Sequence, residues 1–238
     1  MSTGKHPIQL HSPRTRGVRA AVVLAALVAA ACGPARRPAP PPAPLPPPPP
    51  PPPAFTAAEV WTREPGLVLR SDSAPTTLPY VFMRLQVLRV DSAGLLVRCL
   101  VCRGAPTGWI DSTRVAYAPA PPREAARLGL ADFALAVRDA AQRGDIATLR
   151  ALMARDFVHS LSGGEGVLEA VGAWRQHRAN DLRRLPFLLD RGIVIVPGTP
   201  VWAAPPEYAT QPAYTDLRAG FRRGPDGWEW LFLVRPGP

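Results

Sequence analysis

One pair of titratable side chains in the second half of the chain has the types needed for acid–base chemistry. Asp156 and His159 lie in the run Asp-Phe-Val-His-Ser, whose pattern predicts a short β-strand. A carboxylate beside an imidazole can take a proton from a bound substrate or return it. Residues three apart on a strand point to opposite faces, so this spacing argues against a joint site. The pair is therefore the acid–base candidate of an alternative, enzymatic function.

The rest of the sequence lacks the common catalytic motifs. It contains no Gly-x-Ser-x-Gly, no His-Glu-x-x-His and no cysteine-protease arrangement. Residues 162–166 are rich in glycine, but no Gly-Lys-Ser or Gly-Lys-Thr follows them, so they predict a loop before a helix rather than a phosphate-binding loop. The sequence predicts no catalytic residue, no metal site and no cofactor.

Cys32 is the residue whose position suggests a covalent modification. It follows a basic stretch and twelve residues, 20–31, that are apolar and end in Ala-Ala-Ala. This order is typical of a secretory signal peptide, and the apolar stretch is shorter than the roughly 20 residues that span a bilayer. It resembles the lipobox of bacterial lipoproteins, which implies that residues 1–31 are removed and that Cys32 is lipidated. By resemblance to lipoprotein sorting in double-membraned bacteria, the absence of Asp after Cys32 favours the outer membrane, facing the periplasm. An ordinary signal peptide before an incidental Cys32 is the alternative.

Residues 32–54 predict a spacer between the lipid anchor and a folded part. Of the 20 residues 34–53, 14 are proline. Proline fixes φ and lacks the backbone donor, so we expect an extended polyproline II segment of about 60 Å. Proline-rich runs also serve as ligands of signalling modules, but a run next to a lipid anchor favours the spacer.

The formal net charge of +10 does not predict nucleic-acid binding. The first 53 residues supply six of those charges, whereas residues 54–117 and 118–238 each carry only +2, with acids and arginines interspersed. A phosphate backbone is bound by clustered basic side chains, which this distribution does not provide. The expected partners are a membrane, through the lipid anchor, and peptidoglycan or an envelope protein.

Cys99 and Cys102 form the second group of candidate reactive residues. In an exported protein a close pair favours a disulfide, since a zinc site would need two more ligands. The thioredoxin Cys-x-x-Cys opens a helix, whereas this pair lies at the end of a predicted strand. A bridge requires a bulge or a turn between the two residues. Two buried thiols are the alternative.

Residues 55–117 predict a small β-barrel, because five short strands are separated by turns, including a hairpin turn at 91–94. Gly66-Leu-Val-Leu-Arg followed by a turn, and Gly108-Trp-Ile near the end, resemble the bacterial Src-homology-3-like domain. Aromatic grooves bind extended peptides in that fold, which makes Trp109 a candidate ligand-binding residue. The alternative for Trp109 is a place in the hydrophobic core.

Residues 124–238 predict an α+β domain, with helices first and an antiparallel hairpin last. Asp145 is predicted to cap a helix, and alternation along 228–234 predicts that Trp228, Trp230, Phe232 and Val234 share one strand face. The run Ala-Gln-Arg-Gly-Asp-x-x-x-Leu-x-x-Leu-Met and the closing Phe-Arg-Arg-x-x-Asp-Gly-Trp-x-Trp resemble nuclear transport factor 2-like domains. That resemblance implies helices packed on a curved sheet around a cone-shaped pocket, although prolines in 175–213 interrupt the expected strands.

Two function classes follow from these patterns. The sequence favours a lipid-anchored lipoprotein of the bacterial cell envelope, acting as a non-catalytic module that binds peptide, peptidoglycan or a partner protein. The alternative is an enzyme or small-molecule-binding protein that uses the cone pocket, with Asp156 and His159 as its acid–base pair.

Overall fold

The computed structural model describes residues 55–71, 74–161, 163–164, 166–211 and 213–235. All of them belong to one compact unit, Pro52–Pro238. The predicted signal peptide, Cys32 and the proline-rich segment lie outside the described residues. Within the described residues the fold is α+β, with six α-helices and a mostly antiparallel sheet.

Seven strands occupy the first segment, two more than the five predicted. They are β1 (Glu59–Thr62), β2 (Leu67–Leu69), β3 (Thr76–Leu78), β4 (Val81–Asp91), β5 (Gly94–Cys99), β6 (Thr107–Ile110) and β7 (Val115–Ala116). The central sheet pairs β6 with β5, β5 with β4, β4 with β1 and β1 with β7, all antiparallel, while β2 pairs with β3. Alternate residues such as Leu67, Leu69, Leu95 and Val97 point into a shared core, which the pleat of each strand requires.

The second segment contains the helices and five further strands. They are α1 (Pro122–Leu128), α2 (Leu130–Arg143), α3 (Ile146–Leu152), β8 (Met153–Val158), α4 (Val167–Gln176), α5 (Ala179–Asp190), β9 (Arg191–Ile195), β10 (Trp202–Ala204), α6 (Glu207–Thr210), β11 (Arg218–Gly224) and β12 (Gly227–Val234). The Asp145 carboxylate accepts the backbone N–H of Thr148 at 3.0 Å, so the predicted cap of α3 is confirmed.

The strands of the second segment follow the order β9-β10-β11-β12-β8, with β8 parallel to β12 and the other pairs antiparallel. A bulge changes the alternation along β12: Trp230 pairs with Phe221, whereas Phe232 pairs with Gly220. The extra residue turns Leu233 into the core beside Trp230, and Phe232 is only half-buried. The prediction of one shared face for the alternate residues of 228–234 is therefore wrong.

Strand β4 connects the two segments. Its first residues pair with β9, through Val81 opposite Ile193 and Met83 opposite Arg191, and its later residues pair with β1 and β5. Phe82 lies between Val81 and Met83 with φ of +65°, a conformation that bulky residues rarely adopt. Its ring is fully buried and stacks on Trp61 of β1 at 5.6 Å. The stacking holds Phe82 in this conformation near the point where the strand changes partners.

Candidate functional site

Trp109 is held by β6 and by the end of β2. Its backbone N–H donates to the Arg70 carbonyl at 2.7 Å, and its carbonyl accepts the Arg70 N–H at 3.1 Å. A Cβ on Gly108 would lie 2.9 Å from the Arg70 carbonyl oxygen, so this close approach requires glycine. Gly108 and Ile110 are buried, whereas the Trp109 side chain lies on the opposite face and is half-buried.

The Trp109 groove is a shallow depression of about 340 Å³ lined by Arg70, Ser71, Ala93 and Trp109. The Arg89 guanidinium covers one face of the indole, with its Cζ 4.8 Å from the ring centroid. Arg89 also pairs with the exposed Asp91 at 3.4 Å. The groove thus combines a partly exposed aromatic ring with two guanidinium groups, a combination suited to peptide carboxylates.

Asp111 lies at the end of β6. Its carboxylate accepts the backbone N–H and then the hydroxyl of Thr113, both at 2.8 Å, and these bonds hold its pKa below the usual range. The positive charges of Arg114 and Arg70 lower the same pKa further. Asp111 is fully exposed and stays ionised at neutral pH. Arg70 therefore has a carboxylate nearby but no direct ion pair among the described residues.

Asp156 is engaged with an arginine rather than with His159. Arg222 donates two hydrogen bonds to its carboxylate, at 2.9 and 2.5 Å, and these bonds lower the pKa of Asp156. Asp156 is exposed on β8. A carboxylate held ionised by a bidentate guanidinium is a poor proton carrier near neutral pH.

His159 lies after the end of β8 and is buried, with 8% of its surface exposed. Neither ring nitrogen has a hydrogen-bond partner among the described residues, and the Glu169 Oε2 lies 3.7 Å from Nε2. Gly164 packs against the ring, since a Cβ there would lie 2.5 Å from Cε1. The structure brings His159 to Glu169 and Asp156 to Arg222, and does not bring Asp156 and His159 together as an acid–base pair.

The space between the helices and the sheet of the second segment contains an aromatic cluster. Phe157, Trp174 and Trp230 contact one another with ring centroids 4.9 to 5.8 Å apart. All three are buried, and Phe133 and Phe221 lie in the same core. These rings form part of the hydrophobic core between the helices and the sheet.

Cys99 and Cys102 are linked by a disulfide, with their Cα atoms 5.5 Å apart. Cys99 is the last residue of β5, and the chain turns before Cys102. The turn supplies the reorientation that a straight strand would not allow. The bridge closes one end of the β5–β6 hairpin, which carries Trp109.

Asp190 is a structural site residue that the sequence patterns did not indicate. It is only 2% exposed and ends α5, yet its carboxylate accepts hydrogen bonds from Trp61 Nε1 at 2.9 Å and Arg138 Nε at 2.6 Å. The partners are 129 and 52 residues away in sequence, and no local motif marks such a contact.

Among the described residues, no group of three or more His, Cys, Asp or Glu side chains is placed to hold a metal ion. No helix in the described part of the chain has the length and apolarity needed to cross a membrane. Comparisons of the chain with models of protein families, with curated proteins and with solved structures found no match. The Src-homology-3-like and nuclear transport factor 2-like resemblances therefore remain predictions.

Proposed function

We propose that this chain is a lipid-anchored lipoprotein of the bacterial envelope whose folded part binds an extended peptide through the Trp109 groove. The observation that carries the proposal is the half-buried Trp109 ring beside Arg70 and Arg89. Peptidoglycan stem peptides and acidic segments of partner proteins both present carboxylates to such a groove. The role is one of binding and positioning rather than catalysis.

The domain resemblances add support at the level of architecture. The order of β-pairing in the first segment, with a short strand closing onto β1, is compatible with a Src-homology-3-like barrel. In the second segment, helices followed by antiparallel strands are compatible with a nuclear transport factor 2-like domain. Many domains of both types bind partners without catalysing a reaction, and the chemistry must be argued from the site.

The anchor and the spacer fit the same role. A lipidated Cys32 would hold the chain at the outer membrane, and the proline-rich segment would carry the folded part about 60 Å away. A binding module at that distance can reach material in the periplasm while it remains attached. An enzyme acting on a diffusing metabolite gains little from such a tether.

The alternative class, an enzyme or small-molecule-binding protein using the cone, is less favoured by the geometry. Asp156 and His159 have different partners, and the cone region contains the cluster of Phe157, Trp174 and Trp230. A site with two converging titratable groups would be needed for general acid–base catalysis.

The test is binding of the detergent-solubilised full-length protein to purified peptidoglycan sacculi and, separately, to a synthetic acidic peptide. We expect saturable binding in at least one arm, and a loss of about tenfold or more in Trp109→Ala, because a central aromatic anchor typically dominates a small interface. Trp109→Phe should retain part of the affinity. Phe187→Ala, which removes an exposed aromatic ring elsewhere, is the matched control.

Thermal melting distinguishes a loss of affinity from a loss of folding stability. A Trp109→Ala protein that melts at the wild-type temperature is folded and lacks only the indole ring of the groove. Unchanged binding by that folded variant would contradict the proposed site. Binding of the acidic peptide but not of sacculi would identify a partner protein, rather than peptidoglycan, as the source of the bound peptide. A folded His159→Gln protein that fails to complement a deletion strain would instead select the enzymatic class.

A further inference from the structure

A second depression, separate from the Trp109 groove, lies in the α+β segment. This cleft of about 770 Å³ is bounded by α1, by the junction of α3 and β8, and by the turn between β11 and β12. A shallower depression of about 430 Å³ adjoins it and shares Arg127 and the same turn. None of the three rings of the aromatic cluster described above lines the cleft. Phe133, which lies in the same core as that cluster, lines the inner end of the cleft.

Three arginines converge on this cleft. Arg123 and Arg127 lie four residues apart on α1 and so share one face of the helix, and Arg155 comes from β8. All three are exposed, and none has an ion-pair or hydrogen-bond partner among the described residues. Some other arginines of the same segment are paired, as Arg138 is with Asp190 and Arg184 with Asp216. We define the site as the arginine cleft.

Two acidic residues also border the arginine cleft, so its lining has three guanidinium groups against two carboxylates, a formal charge of 3 − 2 = +1. Glu229 already accepts a hydrogen bond from Arg222 at 3.3 Å, and Arg222 is not among the cleft residues. Asp226 is exposed in the turn between β11 and β12. Three unpaired guanidinium groups facing one space repel each other, so an anion placed among them is stabilised.

The inner wall of the arginine cleft is apolar. Phe133 and Leu152 are buried there, and Met153 and Trp228 are half-buried. Trp228 is fixed by an edge contact with Trp202, with ring centroids 6.3 Å apart. A ligand that reached this wall would bury an apolar or aromatic body against Trp228.

The walls of the cleft are held in place before any ligand arrives. Gly227 packs against the backbone of α1 so closely that a Cβ would lie 2.3 Å from the Ala126 carbonyl oxygen. The hairpin turn and the arginine-bearing helix are therefore in direct backbone contact. A preformed site loses less free energy to ordering when it binds.

We propose that the arginine cleft binds a small organic anion, with a phosphate or carboxylate group held by Arg123, Arg127 and Arg155 and a flat apolar body resting on Trp228. Phosphate and carboxylate share the geometry that a guanidinium fork recognises, and the apolar wall favours an anion with an apolar body over a bare inorganic ion. The site adds a small-molecule ligand to the peptide-binding role and does not depend on the Trp109 groove.

The test is isothermal titration of the full-length protein in detergent with 1-naphthyl phosphate, 1-naphthoate, neutral 1-naphthol and inorganic phosphate. We expect saturable binding of one or both naphthyl anions that weakens as salt is raised, and much weaker binding of 1-naphthol and of inorganic phosphate. Arg155→Gln should reduce the affinity about tenfold, because it removes a charge-assisted hydrogen bond. The Arg123→Gln/Arg127→Gln double variant should lose more.

Arg150→Gln is the matched control, because Arg150 is exposed on α3 but does not line the cleft. It should bind the anion as the wild type does, and Trp228→Leu should lose affinity for the naphthyl anions but not for inorganic phosphate. Absence of saturable binding of both naphthyl anions overturns the proposal. Equal binding of 1-naphthol, or full affinity in a well-folded Arg155→Gln protein, also overturns it, whatever the outcome at Trp109.

Discussion

At the scale of single residues, one buried carboxylate organises the contact between the two segments. Asp190 receives two hydrogen bonds from the Arg138 guanidinium, at 2.6 and 3.0 Å, and one from the Trp61 indole. Arg138 also stacks over the Trp61 ring at 4.7 Å, and Arg84 approaches Asp190 at 3.5 Å. A buried charge is tolerated because these partners replace the lost water. The network therefore fixes the positions of β1, α2 and α5 relative to one another.

Removing that charge should destabilise the whole protein. In Asp190→Asn, the buried Arg138 guanidinium loses its counter-charge, and we expect a loss of about 3–5 kcal/mol in the free energy of unfolding. Urea denaturation followed by tryptophan fluorescence measures this change. The control is Asp139→Asn, which removes a partly exposed pair with Arg143 and should cost less than about 1 kcal/mol. Equal effects of the two substitutions would contradict the role assigned to Asp190.

At the scale of elements, the sequence patterns predicted the features that depend on neighbouring residues, such as a helix cap and a hairpin. The cap at Asp145 and the β11–β12 hairpin follow from short-range chemistry. Helix α5 was not predicted, because the prolines of 175–213 indicate interrupted structure, although Leu182, Leu185 and Leu189 have helical spacing. The bulge in β12 leaves an uninterrupted apolar run and gives no sequence signal.

The candidate site shows the same division between local and long-range information. Trp109 was identified from its motif, but its exposure depends on which face of β6 packs inward. That is decided by the burial of Gly108 and Ile110 against a core built from distant strands. The arginine cleft could be anticipated only in part, since the spacing of Arg123 and Arg127 is local whereas Arg155 joins them through tertiary packing.

The β5–β6 hairpin carries a prediction at this scale. In Cys32→Ser protein exported to the periplasm, Cys99 and Cys102 are the remaining cysteines, and a thiol assay of the unreduced, denatured chain should detect no free thiol. After reduction it should detect two. Replacing both with Ala should lower the free energy of unfolding by about 2 kcal/mol or less, because the closed loop is short. Two free thiols in the unreduced protein would mean that the bridge does not form in the periplasm.

At the scale of the whole molecule, the two folded segments form a continuous structure rather than two separate domains joined by a linker. Strand β4 pairs with β9 across the boundary, Arg63 of the first segment pairs with Asp132 of α2 at 2.8 Å, and the Asp190 network adds a buried contact. The Trp109 groove and the arginine cleft are thus carried by one framework. A single tether at the N-terminal end would place both sites in the same compartment.

That tether is the last prediction, and it concerns residues outside those that the structure describes. If Cys32 is the lipidated N-terminus, cells fed radiolabelled palmitate should label the wild-type protein, which should sediment with membranes. Cys32→Ser should incorporate no label and should be recovered as an uncleaved or unanchored species. Cys102→Ser serves as the matched control, since it removes a different cysteine and should leave labelling intact. One acyl chain binds a membrane only marginally, so stable anchoring needs the further chains of this modification. Protein that carries no label and still sediments after detergent treatment would be attached by other means. Equal labelling of the wild type and Cys32→Ser would refute the lipoprotein assignment, and the peptide and anion sites would then have to be tested in a protein without this anchor.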